Sequence, residues 1–218
     1  MFSKLRSLIF KIDPERAHTL AIKSLKLNLV SNIFDKNKDD PIFKTKIFDK
    51  EIDNPIGMAA GFDKNAEVYN ALFRLGFGFV EVGTITPLKQ YGNPKPRVFR
   101  LVEDEALINR LGFNNHGAEV ILDRIKSNNQ LGLLGINIGP NKDSNNRMND
   151  YLIGLKTFHE VADYITINIS SPNTENLRDW FKLIYEVVFG DENGPRMGFF
   201  ISFFGVNETK ELLINKLK

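Results

Sequence analysis

The residues of this 218-residue chain best suited to chemistry are mostly neutral. Asn109, Asn137, Asn168 and Asn173 carry side-chain amides that both donate and accept hydrogen bonds. Together they match a heterocycle whose edge alternates N–H and C=O groups. Lys64 adds one fixed positive charge. Ala59-Ala60-Gly61 offers backbone that a flat ring or a phosphate can approach closely. Ser171 and Thr174 flank Pro172 and Asn173, yet no histidine or carboxylate stands beside Ser171 to make it reactive. Taken singly, each asparagine reads as a structural amide and Lys64 as a solvated surface lysine. Ser171-Pro172-Asn173 alone reads as a turn. What sets these residues apart is where they fall in the chain.

Positioning them is the task of alternating strands and helices. Ile165, Ile167 and Ile169 alternate with Thr166, Asn168 and Ser170, the period of a β-strand. The patterns predict strands over 54–61, 77–86, 133–139 and 164–170. Helices are predicted over 66–75, 118–126 and 151–162. Such alternation implies an α/β fold of parallel strands with helical crossovers. Each strand ends in glycine or polar residues: Gly61-Phe62-Asp63-Lys64, Gly83-Thr84, Asn137, and Asn168 with Ser171. In a barrel of parallel strands those ends share one rim, where active sites lie. Four ends alike favour a site over a chance turn.

Composition excludes several other classes. The chain is 42% hydrophobic and 26% charged, as expected of a globular domain, and its net charge of +2 gives no reason to expect nucleic acid. The absence of cysteine removes disulfides, zinc-thiolate sites and thiol catalysis. No run approaches the ~18 apolar residues of a membrane span. Lys4, Arg6 and Lys11 interrupt any signal-peptide core, so an intracellular protein is the expectation. There is no phosphate-loop motif, nucleophile elbow or dinucleotide fingerprint. His18, His116 and His159 are scattered without metal-ligand spacing and read as structural.

Ahead of a polar linker at 35–40, residues 1–30 read as two helices. Phe2, Leu5, Leu8 and Ile9 share a face of the first, and Asp13-Pro14-Glu15 opens the second. Six basic residues against two acids in this stretch allow two readings. One is a helical hairpin packed on the main domain, which the pattern alone favours; the other is a basic pair lying on an anionic bilayer.

Seven blocks carry a family resemblance: IDPERAH (12–18), NPIGMAAGFDKN (54–65), FVEVGTITP (79–87), PRVFRL (96–101), INRLGFNN (108–115), GINIGPNK (135–142) and DYITINISSPNTENLR (163–178). In this order they resemble dihydroorotate dehydrogenase, in its membrane-associated, quinone-using class. The resemblance implies a (β/α)8 TIM-type barrel and an FMN enzyme of pyrimidine biosynthesis that oxidises dihydroorotate to orotate. Ser171 matches the catalytic-base position, removing the C5 proton while hydride leaves C6 for the flavin. Thr174 and Phe113 match residues that shape a proton relay. An unassisted serine is a poor base at neutral pH, so such help answers the missing histidine. Lys64, Asn109, Asn168 and Asn173, with the loop Asn109, Arg110, Leu111, Gly112 and Phe113, match the orotate site. Ala59, Ala60, Gly61, Lys64, Gly83, Thr84, Asn137 and Asn168 match the FMN site. His18 and Arg100 match the quinone passage. The resemblance also turns the helix pair into a membrane-facing domain over 1–30. It implies a peripheral protein on the cytoplasmic side of the cell membrane, passing electrons to a membrane quinone.

The resemblance covers residues 1 to about 180, with the barrel over 41–180 and a divergent tail over 181–218. Phe199 to Val206 could form a strand and Glu208 to Lys218 a helix, but no lysine lies in that strand and no Gly-Gly turn follows. An eight-fold barrel takes roughly 250 residues. The expectation is therefore about half a barrel, with a non-catalytic fragment as the alternative to an active oxidoreductase. A different phosphate-binding barrel enzyme would need C-terminal phosphate turns that the tail lacks.

Overall fold

An Asp-Pro-Glu start fixes the first helix of the computed structural model, which describes residues 9–27 and 40–169. The Asp13 side chain caps helix α1 (Pro14–Lys26) by accepting from the Arg16 N–H at 2.9 Å, with Pro14 and Glu15 in the first turn. Ile22 and Leu25 are its buried residues. A single 3-10 turn (Pro41–Phe43) leads into the antiparallel hairpin β1 (Thr45–Ile47) and β2 (Lys50–Ile52). Then come β3 (Gly57–Met58), α2 (Tyr69–Arg74) and β4 (Phe79–Ile85). A second antiparallel hairpin, β5 (Val98–Leu101) and β6 (Ala106–Asn109), precedes α3 (Ala118–Lys126), β7 (Leu133–Ile138), α4 (Arg147–Phe158) and β8 (Tyr164–Ile167).

Strands β3, β4, β7 and β8 form one parallel sheet in that spatial order, joined by α2, α3 and α4. Four parallel strands in chain order, with helical crossovers, are an arc of a TIM-type barrel. The faces differ sharply. Val80, Val82, Leu134, Ile136 and Ile138 are essentially inaccessible, and Leu72, Ile121, Tyr151 and Phe158 on the helices complete this core. Burial of a strand on both faces is expected where helices cover a parallel sheet. By the two-residue period the opposite face carries Glu81, Asn137, Tyr164 and Thr166. This face holds the polar groups.

Several boundaries differ from the predicted ones for identifiable reasons. The first strand is only Gly57–Met58, because the Asn54 amide is tied to the Gly76 carbonyl (2.8 Å) and to the Ile56 N–H (2.9 Å). Helix α2 begins at Tyr69 and not at 66: the Asp63 carboxylate holds the Glu67 and Val68 N–H groups, and Ala66 has φ +51°. Helix α4 starts at Arg147, ahead of the predicted 151, because the Asn146 side chain caps it by accepting from the Asn149 N–H at 3.0 Å. It ends at Phe158. The sequence pattern predicts neither hairpin.

Among the described residues no helix is long and apolar enough to cross a membrane. The predicted first helix falls almost wholly outside them, as do the linker up to residue 39, the run from Ser170 to Thr174 and the tail.

Candidate active site

Three adjacent strand ends meet in one hydrogen-bonded cluster. Strand β4 changes register between Val82 and Ile85, a bulge that re-aims the side chain of Thr84. The Thr84 hydroxyl donates to Asn137 Oδ1 at 2.6 Å, at the end of β7. Asn168, just past β8, donates through Nδ2 to Thr84 Oγ1 (3.0 Å) and to Asn137 Oδ1 (3.2 Å). Its backbone is fixed as well, its N–H donating to the Ile138 carbonyl and its carbonyl accepting from the Tyr151 hydroxyl. Below this cluster, Asn137 Nδ2 and Thr166 Oγ1 each donate to Glu81 at 2.9 Å.

The loop after β3 joins the same rim. Gly61 N–H donates to the Gly83 carbonyl (2.8 Å), and Gly83 N–H donates to the Asp63 carbonyl (3.1 Å). Asp63, only 1% exposed, takes the Val68 and Glu67 N–H groups at 2.7 and 2.8 Å, and burial pushes its pKa up against those donors. Lys64 turns its ammonium to the Gly61 carbonyl at 2.5 Å, and desolvation lowers its pKa below the usual lysine value. Ala59 and Gly61 are exposed, and a Cβ on Gly61 (φ +105°) would meet nothing within 4 Å. The rim therefore pairs an uncovered stretch of backbone with a neutral amide and hydroxyl cluster.

The segment from Asn109 to Asn115 arrives from the β5–β6 hairpin. Asn115 fastens it: Nδ2 donates to Thr86 Oγ1 (2.8 Å) and to the Phe113 carbonyl (2.7 Å), while Oδ1 accepts from Gly117 N–H (2.9 Å). Gln90 and Asn93 hold the carbonyls of Gly112 and Arg110. Phe113, with φ +49°, brings its ring near Gly139 on the same side as the Thr84 methyl. Asn109 is exposed on the hairpin and accepts from Leu111 N–H at 3.5 Å. The Arg110 guanidinium turns to the Pro96 carbonyl (3.1 Å) and the Phe99 ring.

A family model described as dihydroorotate dehydrogenase matches residues 42–183. The chain belongs to the dihydroorotate dehydrogenase family. It is 54% identical over 176 residues to a Bartonella tribocorum protein named dihydroorotate dehydrogenase (quinone), covering 80% of this chain and 48% of that relative. It is 56% identical over 171 residues to a Rhizobium meliloti protein of the same name, covering 78% and 47%. A solved DHODH of Eimeria tenella in complex with ferulenol superposes with a TM-score of 0.71 at 38% identity, over 93% of this chain and 52% of that one. The ligand-free type from the same organism gives 0.72 at 44%, over 78% and 49%. The chain spans about half the length of the curated relatives it matches.

In this dihydroorotate dehydrogenase family member, α1 is tied to the barrel by side chains far apart in sequence. The buried Arg97 guanidinium meets the Glu15 carboxylate at 2.6 Å and also donates to the carbonyls of Tyr91 (2.7 Å) and Asn93 (3.0 Å). Lys26 pairs with Glu67 at 2.5 Å. Arg100 donates to the Ile12 carbonyl at 2.7 Å and stacks on Phe10, at the edge of a cavity of about 420 Å³ that is also lined by Val102 and Leu107. His18 Nε2 lies 2.7 Å from the Phe62 carbonyl, which can only accept, so the imidazole carries its proton there.

Desolvation, helped by the nearby Lys64 charge, lowers the His18 pKa below its ordinary 6.5. A histidine with a depressed folded pKa contributes stability that is present above pH 6.5 and is lost as pH falls through the folded value. Unfolding curves taken between about pH 7 and 5.5 should therefore show the parent losing stability relative to His18→Gln. Parallel curves for the two proteins would refute the role of the neutral imidazole.

Of the expected site residues, Lys64, Gly61, Gly83, Thr84, Asn137, Asn168 and Phe113 fall on one connected rim. Ser171, Asn173 and Thr174 lie outside the described residues. Glu81, Asp63, Arg97 and Asn115 are structural members of the site that the sequence pattern does not single out. For Glu81 a signal exists: it is a lone carboxylate inside the apolar run Phe79-Val80-Glu81-Val82, and a charge in a buried strand is informative.

Proposed function

We propose that this chain carries the FMN and dihydroorotate sites of a dihydroorotate dehydrogenase (quinone). The observation that carries the reading is the neutral Thr84–Asn137–Asn168 cluster set beside the uncovered backbone at Ala59 to Gly61. That donor and acceptor set fits the edge of an isoalloxazine or a pyrimidine, whose N–H and C=O groups need uncharged partners. Bound FMN would supply a two-electron acceptor for the hydride of dihydroorotate.

Ala59, Ala60, Gly61, Lys64, Gly83, Thr84, Asn137 and Asn168 would hold the flavin. Lys64, Asn109, Asn168 and Asn173 would hold the pyrimidine and its carboxylate, with the backbone from Arg110 to Phe113. Ser171 would remove the C5 proton, assisted by Thr174 and Phe113. Residues 1–30 would form a quinone-passage domain with His18 and Arg100 lining it, peripheral to the cytoplasmic face of the cell membrane. Residues 41–180 would form the flavin-binding part of the barrel, followed by the divergent 181–218.

Purified protein titrated with FMN and then mixed anaerobically with dihydroorotate tests the reading. Expected are a bound-flavin absorbance band and its bleaching by the substrate. A folded protein that leaves FMN free, or bound flavin that dihydroorotate does not bleach, would overturn it.

A further inference from the structure

Every backbone carbonyl from Arg110 to Phe113 is taken by a donor of the protein. Asn93 Nδ2 donates to the Arg110 carbonyl (2.8 Å), and the Asn93 N–H donates to that of Leu111 (3.0 Å). Gln90 Nε2 donates to the Gly112 carbonyl (2.9 Å) and Asn115 Nδ2 to that of Phe113 (2.7 Å). The N–H groups of Gly112, Phe113 and Asn114, by contrast, meet no acceptor among the described residues. In a trans peptide the C=O and the following N–H lie antiparallel in one plane. Each anchored carbonyl therefore also fixes the direction of the next N–H, and three unused donors are held in place. The backbone here needs such anchoring. Gly112 and Phe113 both have positive φ, +72° and +49°, and a phenylalanine stays in that sparsely populated region only where its surroundings hold it.

Gln90 is the anchor that reaches furthest. Its Oε1 accepts from the Lys142 N–H at 2.8 Å, in the loop after β7, while its Nε2 faces the Gly112 carbonyl. A backbone N–H can only donate and a carbonyl can only accept, so the amide has one permitted sense. The backbone of Gln90 also exchanges two hydrogen bonds with Asn115, at 3.0 and 2.9 Å, which seats its Cα beside the segment. We propose that Gln90 is a positioning residue for the substrate: it fixes the plane of the Gly112–Phe113 peptide, so that the Phe113 N–H is presented to an oxygen of an anionic pyrimidine. The inference rests on the reading of residues 109–113 as part of the dihydroorotate site, and it adds the residue that sets their geometry.

FMN-loaded parent, Gln90→Met and Gln90→Glu are titrated with orotate and followed by the flavin absorbance, after FMN affinity has been measured for each. Methionine keeps the length of glutamine and loses both bonds. Glutamate keeps an acceptor for the Lys142 N–H but gives the Gly112 carbonyl no proton at neutral pH. Gln90→Met is expected to weaken orotate roughly three- to tenfold, the size of one neutral hydrogen bond, with FMN affinity unchanged. Gln90→Glu should weaken orotate at least as much, because its carboxylate repels the carbonyl. A residue that only supported the fold would weaken FMN and orotate together. Unchanged orotate affinity in both variants, or parallel losses for the two ligands, would overturn the proposal.

A parent that takes up no FMN or no orotate would defeat the functional reading and not the hold of Gln90 on this peptide, which is measured without ligand. The carbonyl carbon resonance of Gly112, assigned by its correlation to the Phe113 amide, should move upfield in both variants as its donor is lost. An unmoved resonance would overturn the role of Gln90 itself.

Discussion

Gly83→Ala should unfold this protein more readily than any other single methyl group added to the rim. The backbone there has φ +115°, a region that side chains strongly disfavour, costing about 1–3 kcal/mol. The new Cβ would also sit 2.4 Å from the Asn137 carbonyl oxygen and 3.0 Å from the Ile85 nitrogen, both backbone atoms that cannot swing away. Overpacking of this kind adds about 1–3 kcal/mol. The two effects together amount to roughly 4 kcal/mol, a large part of the stability of an ordinary domain. Urea unfolding measures it, with Gly61→Ala as the comparison. Gly61 shares a positive φ but faces open space, so its alanine should cost only about 1 kcal/mol. Equal losses at the two positions would mean that the close approach of β4 and β7 at the bulge does not matter.

The second large effect is expected at Arg97. Its guanidinium side chain is 7% exposed and satisfies the Glu15 carboxylate, itself 18% exposed, together with two backbone carbonyls. Arg97→Met removes all of these bonds and leaves a largely buried carboxylate without its main partner. Losing one member of such a pair costs about 3 kcal/mol. The hydrogen bond from Arg97 is the main reason the Glu15 pKa lies below the ordinary glutamate value of 4.5, with desolvation opposing it. A depressed carboxylate contributes stability that is present above about pH 4.5 and is lost as pH falls through its folded value. As pH falls below about 4.5 the parent should therefore lose more stability than Arg97→Met does. Hydrogen exchange across residues 14–26 adds a local readout, since that helix should lose protection first. Unaltered protection in the variant would show that the Glu15–Arg97 pair does not hold α1 in place.

What can be read in the sequence is whatever depends on near neighbours. The alternation in 79–85, 133–138 and 164–167 and the apolar stripe of 118–126 are local patterns, and those elements form close to where the pattern puts them. Thr84, Asn137 and Asn168 stand out as polar ends of apolar strands, which is why the sequence alone groups them. The hairpins are not visible, because β1, β2 and β6 are short and largely exposed and carry no period to detect. The late start of α2 depends on the buried carboxylate of Asp63 competing for its first N–H groups, a contest decided by tertiary burial. The Glu15–Arg97 pair joins residues 82 apart, and no spacing rule reaches that far.

The anchors of α1 have a consequence for how this region can change over evolutionary time. Lys26 follows Glu15 by eleven positions, close to three full turns at 3.6 residues each, so both ions face the same flank of the cylinder, with His18 near that flank. Inserting or deleting a single residue between them would swing one end about 100° relative to the other and unseat the pairs on that side together. A one-residue insertion or deletion within 15–26 should therefore loosen α1 more than a substitution at one of its exposed positions does.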